Sequence, residues 1–105
     1  MPVHEAVKST ASITASAQVT AAGIPALLYG YKIKAGPTSQ TVIAFRDGGA
    51  SGTILWQDSL VAQAVAGDKT PGIFFTFPIV FTADLYVDIT GGAATAVTVA
   101  YLNLT

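Results

Sequence analysis

Apolar and polar positions alternate with a period of two through most of this chain, the mark of strands that bury one face. In residues 10–20, Ala11, Ile13, Ala15, Ala17 and Val19 fall on one side and Ser12, Thr14, Ser16, Gln18 and Thr20 on the other. The stretch that follows, Gly23 to Pro25, breaks the pattern. It resumes with Leu27, Tyr29, Tyr31 and Ile33 against Gly30, Lys32 and Lys34, until Gly36-Pro37 ends the run. Residues 41–47 read as a third strand. Asp47-Gly48-Gly49 with Ser51-Gly52 then supplies glycines able to take the positive φ of a hairpin connection, and residues 53–59 return. Residues 60–72 satisfy a short helix and a strand about equally well and are read as a loop with a possible strand.

Residues 73–81 are dense in aromatic and β-branched side chains. Pro78 has no amide to give a ladder, which predicts a bulge or a sheet edge there. Residues 84–90 place Leu85, Val87 and Ile89 inward and Asp84, Tyr86 and Asp88 outward; Gly91-Gly92 turns into the last strand, residues 95–104. The pattern predicts an all-β fold, an antiparallel β-sandwich or jelly-roll-like barrel of seven to eight strands. Its expected core is Ile13, Val19, Leu27, Ile33, Leu55, Leu85, Val87, Ile89, Val97 and Val99. Residues 1–9 fit no strand well and read as a short N-terminal arm, with residues 10–105 forming a single domain.

Composition sharpens this picture. The chain has 105 residues, enough for one hydrophobic core, and no cysteine, so neither a disulfide framework nor a thiolate metal site is available. Only 10% of its residues are charged while 51% are hydrophobic, against about 25% charged in an ordinary soluble domain. A body so poor in charge is expected to be covered by copies of itself or by a partner. The five basic residues are scattered and the net charge is -1, which argues against nucleic acid. The longest uncharged stretch, Ser9 to Tyr31, is rich in Ser and Thr and carries Pro25, so no membrane helix is expected, and residues 1–10 lack the apolar run of a signal peptide.

Candidate chemistry is thin. His4 is the single histidine, so a Ser-His-Asp arrangement would hang on the arm. Asp84 and Asp88 lie on one strand face, but four residues of extended chain separate them by about 13 Å, beyond the roughly 5–9.5 Å of a glycosidase pair. No catalytic residue, metal or cofactor is expected, and the chain reads as a non-enzyme. The aromatic set Tyr29, Tyr31, Trp56, Tyr86 and Tyr101 offers a sugar-stacking platform as an alternative to core filling, with Trp56 the best exposed anchor. Phe74, Phe75, Phe77 and Phe81 occupy both parities of one segment, so some of them face a neighbour; with Trp56 they form the expected oligomer or partner interface.

The run Leu28-Tyr29-Gly30, Phe45-Arg46-Asp47-Gly48 with Ser51-Gly52-Thr53, Phe81 with Leu85-Tyr86-Val87, Gly91-Gly92, and Val97-Thr98-Val99-Ala100-Tyr101 resembles small virion proteins of tailed bacteriophages, the all-β head decoration or cement proteins. The resemblance spans roughly residues 10–102 and consists of strand and turn residues, with no site motif to carry over. It implies a β-sandwich that binds the major capsid protein on the outside of a capsid, often as a homotrimer, and locks neighbouring capsomers together. Such a protein is made in the host cytoplasm and resides on the virion, with no cofactor, nucleic acid or membrane among its partners. Val3, His4, Glu5, Val7 and Lys8 of the arm are then the expected capsid contacts, by addition of a strand to a sheet edge. A carbohydrate-binding or adhesin-like component of a tail or head fibre is the alternative.

Overall fold

A computed structural model describes residues 7–34, 40–60, 72–91 and 96–104. They form eight strands: β1 (Lys8–Ser9), β2 (Ala17–Gln18), β3 (Ala26–Lys34), β4 (Thr41–Asp47), β5 (Thr53–Leu60), β6 (Gly72–Phe81), β7 (Leu85–Gly91) and β8 (Ala96–Asn103). Two four-stranded antiparallel sheets result, ordered β1-β8-β3-β6 (sheet A) and β2-β7-β4-β5 (sheet B). The expected sandwich is the fold. Its core joins inward residues of both sheets, including Leu28, Ile33, Ile43, Phe45, Phe81, Leu85, Val87, Val97 and Val99, all fully buried.

The two long sides of the sandwich are closed differently. On one side the chain itself crosses between the layers. Lys8 and Ser9 pair with Tyr101 and Ala100 of β8, Ile13 bridges Val97, and Ala17 and Gln18 then pair with Val87 and Tyr86 of β7. The strand expected over residues 10–20 is therefore a crossing segment with short pairings at each end, because no single sheet edge holds it throughout. Of the arm expected over residues 1–9, Lys8 and Ser9 pair with β8 in sheet A, and residues 1–6 lie outside the described residues. On the other side, β5 and β6 are both edge strands.

Three irregularities account for the misplaced core residues. On β3, Leu28 faces Tyr101 and Gly30 faces Ala100, so Tyr29 is an extra residue against β8. The inward parity consequently passes from Ala26 and Leu28 to Tyr31 and Ile33, and Leu28 rather than Leu27 enters the core. Against β6 the same two steps on β3 are matched by five on the partner, from Ile79 to Phe74. The bulge expected at Pro78 and the edge position are thus both found. On β5, Phe45 faces Trp56 while Arg46 faces Ile54, which leaves Leu55 as the bulged residue, 38% exposed instead of buried.

Gly30 is required at the β3 irregularity. A Cβ there would lie 2.4 Å from the Ile73 carbonyl oxygen and 3.0 Å from the Phe74 Cα, backbone atoms that a side-chain rotation does not relieve. Gly30→Ala is expected to lower stability by about 1–3 kcal/mol, read as an earlier urea midpoint with an unchanged slope. An unchanged midpoint would show that β6 yields freely.

Candidate functional site

Aromatic and acidic side chains from both sheets meet on the β5/β6 side. Tyr31 of β3 is 4% exposed and packs its ring 5.2 Å from that of Phe45. Its hydroxyl donates to Asp58 Oδ2 at 2.5 Å and accepts from Trp56 Nε1 at 3.0 Å, both partners lying on β5 in the other sheet. Phe75 of β6 meets Trp56 edge-on with ring centroids 4.9 Å apart. The arrangement follows from parity: after the Leu55 bulge, Trp56 and Asp58 face the opposing sheet, and the irregularity on β3 turns Tyr31 to meet them. Burial, reinforced by the hydrogen bond and the charge of Asp58, pushes the Tyr31 hydroxyl well above its usual range, against the opposing effect of the Trp56 donor. It stays protonated and donating at any ordinary pH.

This geometry revises the expected site. Trp56 is half-buried and hydrogen-bonded inside the sandwich, so it is not the exposed anchor, and with Tyr31 it leaves the proposed sugar platform. Phe81 is fully buried in the core and is removed from the interface set; Phe75 is half-buried against Trp56. Phe74 and Phe77 do face outward, 71% and 83% exposed, with Ile73 and Val80 beside them in sequence also exposed. Beside Phe74, on the outer face of sheet A, lies a shallow hollow of about 220 Å³ walled by Ser9, Lys32, Thr98 and Ala100. Val7 is exposed and Lys8 is tied to β8; Val3, His4 and Glu5 lie outside the described residues.

Carboxylates organise the end of the sandwich that holds the β4–β5 and β6–β7 turns. Asp47, closing β4, accepts hydrogen bonds from the amides of Thr82, Ala83 and Asp84 and from the Thr82 hydroxyl. Asp84 in turn accepts from the amides of Gly49 and Gly23, at 2.8 and 3.1 Å. The outward position expected for Asp84 is thereby overturned: it is 5% exposed and holds two turns together. Gly48 and Gly49 take the positive φ expected of the β4–β5 hairpin. Asp88 is likewise engaged, in an ion pair with Arg46 at 3.0 Å and a hydrogen bond from the Ser16 hydroxyl. The described aspartates thus serve the fold, and among the described residues no cluster of metal-ligating side chains occurs.

Comparison of the chain with protein families, with curated proteins and with solved structures finds no match in any of the three.

Burial raises the Asp47 carboxyl's pKa, but the hydrogen bonds from Ala83, Thr82 and Asp84 outweigh it, and the net shift is downward. A carboxyl depressed by folding contributes stability above its unfolded pKa of about 4, and that stability is lost as pH falls through the folded value. Asp47→Asn is therefore expected to be less stable than the parent by about 1 kcal/mol near pH 7 and to approach it in strong acid. Parallel denaturation profiles at every pH would contradict this.

Proposed function

We propose that the chain is a structural virion protein that binds the outer surface of a tailed-bacteriophage capsid and stabilises the capsomer lattice, acting as a homo-oligomer. The observation that supports this reading most is the uncharged, apolar β6 edge, with Phe74 and Phe77 held out to solvent by a sandwich whose described aspartates are all engaged in its own fold. An exposed row of phenylalanines is a surface made to be covered. Tyr31 and Trp56 of the sugar platform are turned inward, and the described aspartates are committed to turns, an ion pair and the Tyr31 hydroxyl, which favours assembly over glycan binding or catalysis. The resemblance to head decoration proteins supplies the partner, the major capsid protein. The segment from Val3 to Val7, leading into β1 at the edge of sheet A, supplies a lattice contact repeated in each copy of the oligomer.

The test is binding of the purified protein to undecorated particles of its own phage. Saturable decoration that raises the particles' resistance to heat is expected, and deleting residues 1–6 is expected to reduce occupancy by about 10²-fold or more through lost avidity while the fold persists. Full-length protein that leaves the particles bare overturns the lattice reading; full decoration by the truncated protein overturns the role of residues 3–7.

A further inference from the structure

The segment that crosses between the sheets covers their edges with hydroxyl groups where it brings no backbone partner. Thr10 Oγ1 accepts the amide of Val99 at 3.0 Å, Ser16 Oγ that of Ile89 at 2.8 Å and Thr20 Oγ1 that of Leu85 at 2.9 Å. Backbone bonds lie between them: the amides of Thr10 and Ile13 donate to the carbonyls of Val99 and Val97, and the Val97 amide donates back to Ile13. The groups satisfied in this way belong to the outer edges of β8 in sheet A and β7 in sheet B. Left open, such edges are templates for another chain's strand.

The segment is held unevenly along its length. Residues 7–19 are all exposed or half-buried, and of them Ile13 and Val19 pack against the core. Among the described residues every buried apolar side chain lies at Ala26 or beyond, so the core is complete without residues 8–19. Thr20 is the opposite case, 3% exposed, with its hydroxyl donating to the Ile24 carbonyl at 2.8 Å as it accepts from Leu85. Asp84 fixes the Gly23 amide just beyond it. Few buried apolar contacts and solvent-exposed hydrogen bonds mark a unit that opens at less cost than the whole fold.

We infer that residues 8–18 are a detachable strap, hinged between Val19 and Gly23, which guards both sheet edges while seated and leaves the two sheets standing when it lifts. The sheets keep their own ladders in its absence, β8 against β3 from Ala26 to Lys34 and β7 against β4 from Thr41 to Asp47. The strap is a property of the isolated chain and goes beyond the lattice reading, so failure to decorate particles leaves it unaffected.

Alternation within β7 and β8 supplies the test, because neighbouring residues of a strand direct their amides to opposite sides. Val97, Val99 and Ile89 donate to the strap. Thr98 and Ala100 pair instead with Lys32 and Gly30 of β3, and Asp88 with Ala44 of β4. In native-state hydrogen exchange at urea concentrations below the unfolding transition, Val97, Val99 and Ile89 are expected to exchange through one common opening. Their protection is expected to be at least about tenfold lower than that of Thr98, Ala100 and Asp88, with Leu85, at the hinge, following the protected set. A second measurement ties the strap down. Ile13→Cys and Val97→Cys in one chain place the only two thiols on a hydrogen-bonded pair, whose Cα atoms at about 5.5 Å are within disulfide reach. Oxidation is expected to slow Val99 and Ile89 to the rate of the protected set, and reduction to restore the difference. Equal protection of the two sets, separate openings for Val99 and Ile89, or exchange indifferent to the disulfide overturns the inference.

Discussion

The Tyr31 hydroxyl is the point on which the two sheets depend. Along the β1/β2 side the layers are joined by the chain itself, whose crossing from sheet A to sheet B is pinned at Ile13 and at Ala17–Gln18. Along the β5/β6 side the Tyr31 hydroxyl makes the inter-sheet polar link. It receives the indole N–H of Trp56 and gives its own proton to Asp58, a charge-assisted bond in a half-buried setting, while Phe75 and Phe45 pack around it. Both groups are tied to the same oxygen, so shifting β5 against β3 leaves at least one without a partner. Among the described residues no buried side-chain polar atom lacks one as the fold stands.

The reciprocal carboxylates do for one end of the sandwich what Tyr31 does for one side. Asp47 binds the turn that contains Asp84, and Asp84 binds the turn that follows Asp47, with Thr20 adding bonds to Leu85 and Ile24. Acidic residues spent on backbone amides explain how so few charges are compatible with an ordered fold. They also leave the exterior dominated by small polar and apolar groups, and it is that exterior, concentrated at Phe74 and Phe77, that carries the assembly reading.

Strand periodicity made the architecture legible in the sequence, and residues such as Ile33, Leu85, Val87, Val97 and Val99 are buried where alternation places them. The misassignments at Leu27 and Leu55 share one cause: a bulge adds a residue and reverses parity beyond it, and alternation within a single strand carries no sign of a partner's extra residue. Trp56 and Phe81 were misplaced for the same reason, since their faces depend on irregularities in β5 and β6. Asp84 was hidden because its partners, Gly23 and Gly49, come from distant turns. Pro78 and the glycines at 48 and 49 were readable, since each acts through its own backbone.

The most direct measurement is the effect of removing one oxygen, in Tyr31→Phe. Trp56 is the only tryptophan, so its fluorescence reports the link itself. If the hydroxyl holds the β5/β6 side together, the variant keeps its strand signature in circular dichroism but loses about 1–3 kcal/mol of stability, and Trp56 emission shifts to longer wavelength as the indole is freed toward water. Unchanged emission together with a stability within about 0.5 kcal/mol of the parent would contradict the account, leaving apolar packing alone to hold the sheets.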